Sequence, residues 1–223
     1  MSHVEFTKEM KKTHTILVPM MLPIHFQFLR NILCKEGYRV EILKTEGQQI
    51  IDEGLKNVHN DTCYPALLVI GQMIDALKSG KYDTAHIALA ITQTGGGCRA
   101  SNYIHLLRKA LVQAGFEHVP VISVNFSQLE KNSGFKLTPK MLLRLLYAFL
   151  YGDMLMWIKN QCKPYELEKG STDALVTTWI DTITAQFDSL SYMRMKHNYQ
   201  EMLHDFAALP RSQKPKNSGG NRR

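Results

Sequence analysis

The chain has 223 residues, 44% hydrophobic and 21% charged. That balance excludes a disordered or collagenous protein and allows one full domain, or one domain with an appendage. Its formal charge is +7, but Arg211, Lys214, Lys216, Arg222 and Arg223 crowd the end without an acid and leave +2 for the rest. With no basic face interleaved with aromatics, nucleic acid is not an expected partner.

In chain order, Thr15 to Pro19 is a short apolar run that reads as a buried strand. Pro23 opens a helix with Phe26, Leu29, Ile32 and Leu33 on one stripe, closed by Gly37. Tyr38 to Leu43 alternates as a strand does. Ile50, Ile51, Leu55 and Val58 mark a second helix that ends before Asn60. A third carries Ala66, Leu67, Ile70, Met73, Ile74 and Leu77 at helical spacing, with Gly80 at its end. Ile87 to Thr92 is a buried strand by length and flanks. After the glycine-rich Thr94 to Gly97, a helix with Ile104, Leu107, Leu111 and Ala114 stops at Gly115, and Val119 to Val124 is the last strand. Strands separated by helices imply a parallel sheet with right-handed crossovers.

From Thr138 onward the pattern is helical. Met141 to Lys159 reads as one helix, Lys163 to Glu166 as a break, and Asp173 to Phe206 as one long helix striped by Trp179, Ile183, Phe187 and Leu190. Residues 211–223 are low in apolar content, and disorder is expected there. The expected fold is therefore an α/β three-layer, flavodoxin- or Rossmann-like parallel sheet with a helical C-terminal extension. The expected boundaries are 1–136 for the α/β domain, 137–210 for the helical extension and 211–223 for the tail.

Four cysteines, Cys34, Cys63, Cys98 and Cys162, do not make a disulfide scaffold in a chain this long. Met1 to Lys12 lacks the apolar run of a signal peptide. Met141 to Ile158 is interrupted by Arg144 and Asp153 and falls short of the ~20 apolar residues of a spanning helix. The expectation is a cytoplasmic protein with no membrane partner.

Two cysteines occupy matching local positions. Cys63 immediately precedes a helix with Pro65 in its first turn, and Cys98 lies between a buried strand and the next helix. Unpaired amides and the helix dipole at such starts favour a thiolate. In parallel sheets the strand-to-helix loops share one edge, so the two sulfurs are candidates to face each other there. Gly95, Gly96 and Gly97 allow close approach of a cluster or an anion, their amides can hydrogen-bond cluster sulfurs, and Arg99 can balance negative charge.

The remaining signals are weaker. Cys34, within an amphipathic helix, and Cys162, before Pro164, read as structural or incidental. His59 reads as an exposed helix-end histidine. There is no HExxH pattern, no C-x-x-C and no phosphate-binding G-x-x-x-x-G-K-[ST] loop. Gly95 to Ala100 matches G-x-G-x-x-A, yet the next strand ends in Asn125-Phe126 rather than in an acid that could hold a ribose. The aromatic and methionine content of Tyr147, Phe149, Tyr151, Met154, Met156 and Trp157 reads as packing surface, part of it meeting another domain or subunit.

The runs Thr13 to Pro19, Asn60 to Ala66, Gly71 to Asp83 and Ile91 to Tyr103, with Gly134-Phe-Lys-Leu137 and Leu150-Tyr-Gly-Asp153, resemble the large activase proteins related to 2-hydroxyglutaryl-CoA dehydratase. The resemblance covers about residues 5 to 210 and suggests one internal section of the dehydratase-like region of longer proteins. It implies Cys63 and Cys98 as ligands of an iron–sulfur cluster, [4Fe–4S] in type, completed by ligands from elsewhere. The ATPase motifs of that family are absent, so ATP hydrolysis is not implied.

The preferred expectation is an iron–sulfur module of a 2-hydroxyacyl-CoA dehydratase/activase-like redox system that relays a low-potential electron. Its partners would be the remaining domains or subunits of that system and an acyl-CoA. Two alternatives stand beside it. One is a non-redox domain that binds CoA or a nucleotide phosphate at the glycine loop. The other is a structural module whose apolar helices dock onto a larger enzyme.

Overall fold

The computed structural model describes residues 4–59, 62–92, 103–124 and 132–213. The chain divides into two compact units, residues 1–22 with 33–137, and residues 23–32 with 138–223. Helix α2 (Pro23–Lys35) begins in the second unit and ends in the first.

The first unit holds a four-stranded, all-parallel sheet of β1 (Thr15–Val18), β2 (Arg39–Ile42), β3 (Ile87–Thr92) and β4 (Val121–Val124), in the order β2-β1-β3-β4. This is an α/β three-layer fold whose strands begin the flavodoxin-like order. Register aligns Leu17 with Glu41 on one side and Leu89 on the other, and Leu89 in turn with Val121. Both alternating sets are buried, Leu17 and Leu89 as well as Ile16 and Ala88. That is the signature of a parallel sheet covered on two faces.

One face packs on α4 (Tyr64–Lys78) and α5 (Tyr103–Ala114). Leu17, Leu89, Ile91 and Val121 meet Ile70, Met73 and Ile74 of α4 and Ile104, Leu107 and Leu111 of α5 in one apolar cluster. Helix α3 (Gln48–Asn57) lies against α4 with backbone touching backbone. A Cβ on Gly71 would come within 1.9 Å of the Ile50 carbonyl oxygen, and one on Gly54 within 2.5 Å of that of Leu67. Only glycine fits at either crossing.

Helices α2 and α5 stop where left-handed glycines reverse the chain, at Gly37 (φ 84°) and Gly115 (φ 82°). After each, a backbone N–H turns back to the last helical turn, Tyr38 to the Leu33 carbonyl at 3.1 Å and Phe116 to that of Leu111 at 2.8 Å. Ahead of β1 lies a single short turn, α1 (Met10–Thr13), which apolar periodicity does not announce. Fully buried Phe6 precedes it and accepts from the Gly134 N–H at 2.9 Å.

The second unit contains α6 (Pro139–Cys162), a 3-10 turn at Lys163–Tyr165, α7 (Ser171–Ala185) and α8 (Tyr192–Ala208). Thr138 caps α6, its hydroxyl accepting from the Met141 N–H at 3.1 Å, and Pro139 fills the first turn, where no donor is needed. Buried Met141, Arg144, Ala148, Tyr151, Leu155, Ile158 and Cys162 recur at spacings of three and four. The first turns of α2 join this unit. Phe28 packs at a tilt against Phe187 with ring centres 6.1 Å apart, and His25 Nε2 meets Asp153 Oδ1 at 3.0 Å.

Two expectations are corrected here. The long helix expected over Asp173 to Phe206 is two helices, α7 and α8. The chain breaks after Ala185, and Ser191 caps α8 by accepting the Arg194 N–H at 3.2 Å. The disorder expected from residue 211 does not begin there. Arg211 pairs with Glu166 in an isolated antiparallel bridge, and the Ser212 N–H donates to the Tyr165 carbonyl at 2.8 Å. Residues 214–223 lie outside the described residues.

Among the described residues, one stretch, Pro139–Tyr165, is by length and composition apolar enough to cross a membrane, longer than the Met141 to Ile158 run expected to fall short. Its heptad-spaced face is packed inside the second unit and includes the buried, charged Arg144.

Candidate functional site at the carboxyl rim of the sheet

In a parallel sheet the strand-to-helix loops gather at one rim. The strand order places the reversal between β1 and β3, because β1 connects outward to β2 while β3 connects the other way to β4. Such a reversal opens a crevice where ligands of α/β proteins bind. Helix α4 reaches β3 through the short segment Ser79 to His86, so it runs antiparallel to the strands and its first turn lies at this same rim.

Cys63 is the N-cap of α4. Its backbone is extended (φ −58°, ψ 142°), its carbonyl accepts the Leu67 N–H at 3.2 Å, and its thiol makes no capping bond. Proline at the first turn fixes this start without leaving a donor unpaired. The thiol is half-buried, is not in a disulfide and packs against the edge of the apolar cluster.

The Cys63 sulfur lies 3.6 Å from the hydroxyl of Tyr103, the buried first residue of α5. The contact joins the starts of two helices that lead from different loops. Sequence reasoning missed Tyr103, whose ring reads as one more apolar position on the α5 stripe.

Gln72 is the second residue it missed. Nearly buried on α4, Gln72 accepts the Met20 N–H through Oε1 at 2.9 Å and donates through Nε2 to the Thr45 carbonyl at 2.8 Å. One amide thus fastens the segment after β1 to the segment after β2, on one side of the reversal. The signal was available: Gln72 is an uncharged polar residue inside an otherwise apolar face, and such groups are buried when backbone partners await them.

Of the residues singled out from sequence, Cys63 stands at the rim. Cys98, Gly95, Gly96, Gly97 and Arg99 lie outside the described residues. Cys34 is exposed on α2, and Cys162 is buried at the end of α6, 3.8 Å from an Arg211 nitrogen. His59 is exposed just after α3. Among the described residues, no three His, Cys, Asp or Glu side chains come together as a metal would require.

Comparison with family models, with curated proteins and with solved structures gave no match.

Proposed function

We propose that the chain is an iron–sulfur-binding module of a 2-hydroxyacyl-CoA dehydratase/activase-like redox system. In this reading Cys63 and Cys98 are cluster thiolates, the amides of Gly95, Gly96 and Gly97 donate to cluster sulfurs, and Arg99 offsets negative charge. The observation that carries it is the 3.6 Å contact between the Cys63 sulfur and Tyr103. Tyr103 follows Cys98 by five residues, a span of at most about 18 Å of extended chain. The helix start that bears one thiol therefore touches a residue five positions after the other thiol in the sequence.

The chemistry of Cys63 fits a ligand: a free thiol at a helix start, uncommitted to capping, at the rim where ligands bind. Two thiolates are half of the usual four, so the remaining ligands come from other domains or subunits of the same system. When bound, such a cluster supplies a one-electron carrier. The protein's own part is to hold the two sulfurs at the rim and to surround them with N–H donors.

A second reading has its own support. The strand order reverses between β1 and β3, and Gly95 to Gly97 follow β3 in the sequence; crevices at such reversals take phosphate-bearing ligands. In that case the loop binds CoA or a nucleotide phosphate without redox chemistry.

One experiment separates the two. The full chain is reconstituted anaerobically with iron and sulfide, desalted and assayed for both elements, and then titrated with CoA. The cluster reading expects iron and sulfide to be retained by the wild type and lost when Cys63→Ser and Cys98→Ser are combined, with unchanged far-UV circular dichroism. Iron loading that survives the double substitution rejects it. CoA binding abolished by Gly96→Val but kept by the double serine variant establishes the second reading in its place.

A further inference from the structure

Helix α6 is apolar on two sides, and among the described residues only one of them is covered. Its buried positions form the heptad-spaced face described above. On the outer face Leu142, Leu143, Leu146, Phe149, Leu150 and Trp157 are 36–57% exposed. They follow one another at helical spacing along a stripe about 22 Å long. A helix that is hydrophobic all round belongs to an interior. Together these six side chains expose on the order of 500 Å² of apolar surface, at the upper end of the largest patch on a typical monomer.

We propose that this face is a two-fold interface with a second copy of the chain, two α6 helices packing antiparallel. The area is the first argument. A standard interface buries about 800 Å² per partner, and an apolar stripe of this size with its polar rim approaches that value. The order of the residues is the second argument, because the stripe is close to palindromic about the midpoint of Phe149 and Leu150. A two-fold axis there sets Phe149 on the partner's Leu150, Leu142 on the partner's Trp157 and Leu146 on the partner's Asp153. A large ring thus meets a smaller aliphatic at the centre and at both ends, the pairing that anchors isologous contacts.

Asp153 selects a protein over a lipid surface as the occupant. Its side chain is 71% exposed and interrupts the stripe. A carboxylate sunk into hydrocarbon is costly. In the antiparallel pair the two Asp153 side chains stand about 10 Å apart along the axis, and each already accepts a hydrogen bond from its own His25.

Sedimentation velocity on the full chain, from about 1 to 50 µM, tests the interface. A dimer is expected within that range. Leu146→Glu, which sets a carboxylate against the partner's Asp153, weakens it by about tenfold or more. Leu146→Arg sets a guanidinium against the same carboxylate and keeps the dimer at low salt. Circular dichroism and thermal melting check each variant's fold, and Trp157→Ser at the end of the stripe replaces any variant that fails that check, with the same weakening expected. A wild-type monomer throughout the range overturns the proposal. So does equal weakening by Leu146→Glu and Leu146→Arg, or a dimer that neither Leu146→Glu nor Trp157→Ser disturbs. A monomeric chain that floats with phosphatidylcholine–phosphatidylserine vesicles overturns it in favour of a membrane surface.

Discussion

Helices α4 and α6 are both rich in apolar residues, yet they are used differently. Ten of the fifteen residues of α4 are buried, against eight of the twenty-four in α6. Helix α4 is closed in by the sheet, by α5 and by the glycine crossings to α3, so nearly every side chain has a partner within its own unit. Helix α6 commits one face and leaves the other exposed. The difference teaches that apolar content alone does not place a helix in a core; the neighbours available to each face do.

Two glycines make the contrast measurable. At Gly71 in α4 the obstacle to a methyl group is a backbone carbonyl, Ile50 O at 1.9 Å. At Gly152 in α6 it is the His25 ring, with Cδ2 at 2.5 Å. Backbone cannot move without separating α3 from α4, whereas an imidazole can swing at the cost of its bond to Asp153. Gly71→Ala is therefore the largest effect expected here, destabilising by about 3 kcal/mol or more, with Gly152→Ala costing about half of that. Urea unfolding of the two variants checks the order, and an equal or reversed cost would show that α3 and α4 adjust more easily than their packing indicates.

The next effect concerns the polar residue that α4 buries. Gln72→Leu keeps the volume but leaves the Met20 N–H and the Thr45 carbonyl without their side-chain partner. An orphaned buried polar group costs about 1–3 kcal/mol. The loss should be local as well as global. Amide exchange at Met20 should rise by more than global unfolding explains, because the segment after β1 is released from its anchor. Exchange at Met20 unchanged from wild type would mean that Gln72 merely fills space.

These cases show what the sequence made legible. The β–α alternation could be read because Gly37 and Gly115 stop helices by a local rule and because Ile87 to Thr92 is apolar at every position but the last. The break between α7 and α8 could not. Trp179, Ile183, Phe187 and Leu190 keep helical spacing across it, and Phe187 is buried from a turn rather than from a helix. Only Ser191, a strong cap, marked the new start. At the candidate site, the helix start at Cys63 was legible from Pro65. Its contact with Tyr103 was not, since that depends on α4 and α5 packing side by side on one face of the sheet. The role of Gln72 was hidden for the same reason: its partners, Met20 and Thr45, lie 52 and 27 residues away.

The smallest effect lies before the first strand and tests whether polar burial in the first unit extends beyond Gln72. His14 is buried between Phe6 and His86, with ring centres 6.4 and 5.6 Å away, and its Nδ1 meets the Thr13 hydroxyl at 2.9 Å. Burial, and next the charge of a protonated His86, hold its pKa below the usual histidine value of 6.5, while Asp83 pulls partly the other way. The unfolded chain then binds a proton at higher pH than the folded one. The contribution of His14 to stability is thus fully present above about pH 6.5 and is lost as pH falls through its lowered value. The carboxylates Asp83, Glu166 and Asp173 are themselves held low, so they titrate beneath this window. Urea midpoints between pH 7.5 and 5 should therefore fall more steeply for the wild type than for His14→Phe, which places a ring of similar size against Phe6 and cannot take a proton. Parallel slopes would assign the pH dependence to groups other than His14.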